Sequence, residues 1–385
     1  MPRFRALFVP CEPGVLSHAV PLVALCRMLP PGDAEHAFLV PRARHDMVRR
    51  FDVNVLDLDH RDITTQMVAH SRFRPNVLIY DCSLTAPYAA RLAKIPSVSI
   101  MRTGSLPGEV LRSSCRTHSM ALDVSALPDP SALGLPKPRT LAELFQGDLN
   151  VIPAVPSLEP LEAPYASDPN WTYAGPLLIN DLFASAKPPY TLGRELREVE
   201  TFFERNAGRR IVYVTLGGAS PKPGERELIA CIRTLLENGY GCVTNLAVDP
   251  LPHDGRCLVA AYLPMHYVCA RVDVIVHHCG SGAYQYPLLH RKPAVTIGTE
   301  CVDREEVALR LAERGLSRHL PAPWKTPSFA EQFQAAIDWC LSTSHTGALG
   351  AAFDAVTAEI ATVKAGFKLT AVLDAALAKK PMKAR

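Results

Sequence analysis

Residues 272–284 carry the clearest chemistry in the chain. Val272, Val274, Ile275 and Val276 make an apolar, β-branched run short enough to be a fully buried strand. His277 and His278 follow, then Gly280, Ser281 and Gly282, then a helix-compatible segment ending at Arg291-Lys292-Pro293. A strand that breaks through glycines into a helix aims backbone N–H groups and the positive end of a helix dipole at one point. Such a point suits an anion, phosphate in particular. His278 falls at the carboxyl end of the strand, where open α/β sheets bind ligands. A second strand, 77–80, ends in Asp81, again at a carboxyl edge. Each feature also has a plainer reading. The glycines serve any tight turn, a single G-x-G is a weak signal, and Asp81 is a good N-cap for a helix beginning near Ser83.

The elements that position these residues alternate. In the first half, strands are predicted at 4–9, 36–40, 76–80 and 97–101, with helices at 16–29, 42–51 and 83–93 between them. Residues 106–138 are irregular and rich in Pro, Gly and Ser, as functional loops often are. Short extended pieces follow at 148–164 and 171–178, and residues 175–189 read as a crossover between domains. Alternation then restarts, with helices at 195–206 and 225–237 and strands at 211–216, 242–246 and 257–260. After the 272–293 region come a strand at 293–297 and helices at 302–314, 329–341, 351–363 and 369–378. Strands alternating with helices predict parallel, doubly wound sheets. At 385 residues, two domains of ordinary size are the expectation.

Composition narrows the function classes. A net charge of +3 is too small to imply a nucleic-acid partner. The eleven cysteines show no C-x-x-C or Cys/His spacing of a zinc site. With no secretory h-region and no stretch of membrane-spanning length, the expectation is a cytoplasmic chain with reduced thiols. Arg42, Arg44, Arg49 and Arg50 crowd one segment, and residues 364–385 are basic. That pattern fits peripheral contact with an anionic membrane, as a lipid substrate would require, and a solvated helix face otherwise.

The stretch from Tyr262-Leu263-Pro264 through His278-Cys279-Gly280-Ser281-Gly282-Ala283-Tyr284-Gln285-Tyr286 to Pro293 resembles a known signature. It is the donor-binding signature of family-1, nucleotide-sugar-dependent glycosyltransferases, especially their bacterial natural-product branch. The resemblance implies the GT-B fold, two facing Rossmann-like domains. Residues 1–178 would be the acceptor-binding domain and 179–364 the donor-binding domain, with a helix in 365–385 crossing back onto the first. Ser17-His18-Ala19-Val20-Pro21-Leu22 resembles the family's GHxxPLL, which implies His18 as general base. A histidine suits that role because its ordinary pKa of ~6.5 leaves it mostly neutral near pH 7. Leu78-Ile79-Tyr80-Asp81-Cys82 resembles the segment that supplies the supporting aspartate. On the donor side the resemblance implies His278, Gly280, Ser281 and Gly282 at the diphosphate, Gly217 and Gly218 near it, and Tyr262 and Leu263 near the base. Asp303 and Arg304 stand where many members grip sugar hydroxyls.

Several donor positions depart from the pattern. Ala283 and Tyr284 replace hydroxyl residues, Tyr286 replaces a ribose-holding glutamate, Arg304 replaces a glutamine and Gly218 a serine. The implied reaction is inverting, metal-independent and without a resident cofactor. It moves a sugar from a uridine- or thymidine-diphosphate donor to a hydroxyl of a small molecule, as in antibiotic biosynthesis. The alternatives are a nucleotide-sugar epimerase of the same fold and a non-catalytic relative that activates a partner.

Overall fold

A computed structural model describes residues 2–12, 16–122, 130–179, 192–217, 224–249, 255–260, 263–343 and 346–379. The chain divides into two compact units. Unit 1 comprises Met1–Val110, Met120–Asp181 and Ile360–Arg385, and unit 2 comprises Leu111–Ser119 and Leu182–Glu359.

Unit 1 is built on six parallel strands, β1 (Phe4–Pro10), β2 (Ala34–Phe38), β3 (Val77–Asp81), β4 (Ser97–Ile100), β5 (Leu149–Ile152) and β6 (Trp171–Tyr173), in the order β2-β1-β3-β4-β5-β6. These strands read as nearly continuous apolar runs because both faces are covered. Leu7, Val9, Leu78 and Tyr80 pack on one face against Ala69 and Phe73 of α3 (Ile63–Phe73) and Ala86 and Ala90 of α4 (Ala86–Ala93). Ile152 and Trp171 belong to a second cluster with Leu144 and Phe145. The last helix, Leu369–Ala378, packs against β3 and β4.

Unit 2 repeats the plan with β7 (Ile211–Thr215), β8 (Gly241–Thr244), β9 (Cys257–Val259), β10 (Val274–His277), β11 (Ala294–Ile297) and β12 (Ser317–Leu320). All are parallel, in the order β12-β11-β10-β7-β8-β9. Alternation along β7 sorts its residues between faces. Val212 and Val214 join the cluster with Leu228, Ile232, Phe333 and Ile337, while Ile211 and Tyr213 join Val199, Phe202 and Val268.

In each sheet the chain first lays strands to one side of its opening strand and then crosses to the other. The reversal falls between β1 and β3 in unit 1 and between β7 and β10 in unit 2. Such reversals leave a crevice at the strands' carboxyl ends, because the flanking connections run in opposite directions.

Several elements differ from the sequence reading. The basic stretch at 42–51 is a 3-10 turn, Arg42–Arg44, followed by the five-residue helix α2 (His45–Arg49). His45 Nε2 lies 3.1 Å from the Val40 carbonyl and 3.0 Å from the Leu58 carbonyl, which ties the segment down. Arg42 and Arg49 each stand 3.6 Å from a carboxylate, Asp57 and Asp46, so part of the positive charge is offset. The helix α3 has no clear period in the sequence because His70, Arg72 and three hydroxyl residues interrupt its apolar face, yet Asp62 caps it by accepting from Thr65 N. Among the described residues no helix is long and apolar enough to cross a membrane.

Candidate active site

At the unit 1 reversal, β1 and β3 end side by side with Pro10 opposite Asp81. His18 sits on α1 (Leu16–Cys26), the helix that follows β1. Its Nδ1 lies 2.9 Å from Asp81 Oδ1, and both residues are buried. Asp81 is the last residue of its strand, and Cys82 after it takes a left-handed backbone, φ 51°, which turns the chain away at that point.

A third residue completes the cluster, and no motif had indicated it. Arg102 grips both carboxylate oxygens of Asp81, donating from Nη1 to Oδ1 and from Nη2 to Oδ2 at 2.6 Å. Its Nη1 also lies 3.3 Å from His18 Nδ1. Burial works against the Asp81 carboxylate, but the Arg102 and His18 charges and hydrogen bonds outweigh it and hold its pKa below the ordinary value. Burial likewise opposes the charge of Arg102, and Asp81 more than restores it, so the guanidinium stays protonated. Candidate metal-ligand atoms of His18, Asp81 and Cys82 lie within 4.8 Å of one another. The donor set nevertheless suits a cation poorly, since Arg102 already occupies both Asp81 oxygens. Burial and the neighbouring Asp81 also push the Cys82 thiol well above its usual pKa.

The α4 end of this crevice is occupied by the protein itself. Glu12, in the loop after β1, accepts from Leu84 N at 2.9 Å, Thr85 N at 3.0 Å, Ser83 Oγ at 2.6 Å and Thr85 Oγ1 at 2.8 Å. A helix start that would attract an external anion holds a carboxylate of its own.

The unit 2 reversal is arranged differently. His277 ends β10 opposite Thr215, the last residue of β7. Its Nδ1 accepts from Cys279 N at 3.1 Å, and burial pushes its pKa down to about 3. His278 is also buried, and Cys279 repeats the left-handed turn, φ 57°, seen after Asp81. The His278 ring is packed between two glycines. A Cβ built on Gly217 would stand 2.7 Å from its Cε1, and one on Gly280 would stand 2.6 Å from its Nε2. The glycines are therefore needed for the close approach of this ring as well as for the turn. Gly282, by contrast, faces open space.

The helix expected after the glycines is short. Residues 281–284 form a turn, and only Gln285–Leu289 is helical, with Pro287 inside it. The dipole contribution shrinks accordingly, and individual amides take its place. Tyr284 N bonds to Gly280 O and Gln285 N to Gly282 O, while the amides of Gly280, Ser281, Gly282 and Ala283 make no hydrogen bond among the described residues.

The remaining donor-side candidates divide. Leu263 is buried in the core with Ile275 and Val268, and Tyr286 packs against the same cluster. Asp303 is engaged by the chain itself, accepting from Ser119 N at 2.8 Å and Ser119 Oγ at 2.6 Å. Arg304 is half-buried in the first turn of Val302–Glu313. Gly218 and Tyr262 lie outside the described residues. Glu306, which no motif marks, acts on the same segment as Asp303. Glu306 is buried and accepts from Arg112 N at 2.9 Å, Ser113 N at 2.7 Å and Ser113 Oγ at 2.6 Å. With Val302 N donating to Thr117 O at 2.9 Å, these bonds hold Leu111–Ser119 on the helix start, which is why that segment groups with unit 2.

No family model matches the chain, and a search of curated proteins by sequence finds no match. Solved structures with the same fold are found across the whole length. The spinosyn forosaminyltransferase SpnP is 16% identical with a TM-score of 0.71, the match covering 98% of this chain and 100% of that one. The calicheamicin glycosyltransferase CalG4 is 15% identical with a TM-score of 0.66, covering 98% and 99%. SsfS6 of Streptomyces sp. SF2575, a glycosyltransferase solved with thymidine diphosphate, is 16% identical with a TM-score of 0.65, covering 96% and 99%. The chain thus has the two-domain α/β fold of GT-B glycosyltransferases.

Proposed function

We propose that this protein is an inverting glycosyltransferase that moves a sugar from a nucleoside-diphosphate donor to a hydroxyl of a small natural-product-like acceptor. The observation that carries the reading is the buried His18–Asp81 contact of 2.9 Å at a sheet reversal. With Nδ1–H directed at the carboxylate, Nε2 keeps its lone pair for the acceptor's proton. The acceptor oxygen then forms a bond to the anomeric carbon as the bond from that carbon to the diphosphate breaks. The diphosphate leaves with the electron pair, and a single displacement of this kind inverts the anomeric centre.

The leaving diphosphate belongs to unit 2. In unit 1 the corresponding helix start is filled by Glu12, whereas the amides of Gly280–Ala283 are open among the described residues and stand beside His278. Donors of this kind stabilise the charge that develops on a leaving oxygen. Thymidine diphosphate, present in the SsfS6 structure, is the nucleotide we assign to the donor, and uridine diphosphate should bind comparably. With Asp303 engaged by Ser119 and Tyr286 set in the core, neither of these side chains is placed to select sugar hydroxyls. A deoxysugar should therefore be transferred at least as well as glucose. No resident metal or cofactor enters this scheme, so turnover should persist in excess chelator.

The test is acceptor-dependent release of nucleoside diphosphate from a panel of donors, with His18→Ala alongside. His18→Ala should fold, bind nucleotide normally and lose roughly 10²–10⁴ in kcat. Release that needs no acceptor would point to the epimerase instead. Failure of the wild type to bind either nucleotide at millimolar concentration would favour the non-catalytic relative.

A further inference from the structure

We propose that Arg102 is a positioning residue for the base: it locks the Asp81 carboxylate in place and offsets its charge, so that Asp81 orients His18 without making it a strong base. This rests on the transferase reading for its kinetic test but not for its spectroscopic one.

The geometry separates two effects. A guanidinium fork matches a carboxylate in plane, and with both oxygens held the carboxylate cannot rotate. Oδ1 therefore stays turned toward His18 Nδ1, which fixes the tautomer that leaves Nε2 open. The charge acts separately. His18 Nδ1 stands 2.9 Å from a carboxylate oxygen and 3.3 Å from a guanidinium nitrogen, so an imidazolium would meet attraction and repulsion of similar size. Solvent does little to screen either one, since the side chains of Arg102 and Asp81 are 9% and 0% exposed. A dyad without the arginine would stabilise the imidazolium by the full carboxylate charge.

Among the described residues, the titratable and charged groups around the imidazole are Asp81 and Cys82 at the end of β3 and Arg102 after β4, while Glu12, in the loop after β1, is held by Ser83, Leu84 and Thr85. The Cys82 thiol is raised by burial and stays neutral, and Cys11, after β1, adjoins it. Glu159 acts on Arg102 from one step further out, its carboxylate accepting from Thr103 N. Asp81 and Arg102 are thus the two charges that decide the matter.

The experiment compares wild type, Arg102→Met, Arg102→Lys, Asp81→Asn and the Asp81→Asn/Arg102→Met double variant. It reads kcat and kcat/KM against pH, with ¹⁵N spectra of the His18 ring recorded on the same proteins. Arg102→Met should move the acid limb of kcat/KM up by ~1 pH unit or more and raise the imidazolium signal relative to wild type at the same pH. Asp81→Asn should move the limb down, and the double variant should return it near the wild-type position. Arg102→Lys keeps the charge without the fork, so its limb should hold while kcat falls about tenfold. A lowered kcat in Arg102→Met with an unmoved limb and an unchanged ring spectrum would reduce Arg102 to a packing role and overturn the proposal. If Arg102→Met does not fold, the ring spectra of the double variant and Arg102→Lys decide. A double variant matching Asp81→Asn instead of wild type overturns the proposal. If the wild type transfers no sugar, the spectra still settle the role of Arg102.

Discussion

His278 shows how little room a single residue can have. Its ring lies so close to Gly217 and Gly280 that a methyl group at either position would collide with it, while Gly282 meets nothing. Gly280→Ala should therefore displace the imidazole and weaken nucleotide binding by ~1.5–3 kcal/mol, the scale of a hydrogen bond to a charged group. Gly282→Ala should leave binding within a few tenths of a kcal/mol, the usual range for a surface change. Titration calorimetry on both variants checks this, and equal effects would show that the glycines serve the turn alone. At this scale much of the site was legible. His18, Asp81 and His278 each follow or end a recognisable apolar run, and their types suit proton and phosphate chemistry. Arg102 was not legible, because an arginine just past a strand looks like any solvated residue until the fold brings Asp81 beside it. Nor could spacing show that Asp303 would be taken by Ser119, a contact across 184 positions.

Elements follow the same division. Strands buried on both faces announce themselves as apolar runs, so the β-α alternation was readable almost throughout. Short helices such as Gln285–Leu289 depend on tertiary contacts that no periodicity records. The segment Leu111–Ser119 is the extreme case, an irregular stretch held by carboxylates of Val302–Glu313. Hydrogen bonds from Arg112 and Ser113 outweigh burial and hold the Glu306 pKa below its ordinary value. Glu306→Ala should release the segment at a cost of about 1–3 kcal/mol and speed tryptic cleavage after Arg112 and Arg116. Unchanged cleavage would mean that Asp303 and the Thr117 carbonyl suffice.

Across the whole molecule, each unit carries a buried histidine that burial keeps neutral, His70 on α3 at about 4 and His277 at the end of β10 at about 3. In the unfolded chain each would titrate near ~6.5. Their folded values are depressed, so the unfolded state binds more protons between the two values and stability falls as pH drops from ~6.5 towards 4. Thermal melting across that window should show the decline. His277→Gln should flatten it, and an unaltered slope would assign the acid sensitivity elsewhere. Duplicated architecture also raises a question of stoichiometry. A chain with two sheet reversals offers two places for a phosphate, yet Glu12 seals one with four hydrogen bonds from its own neighbours. Calorimetry should therefore count one nucleotide per chain. Removing that side chain, as in Glu12→Ala, should uncover a second and weaker anion site, so that excess phosphate would then compete with the acceptor instead of the donor.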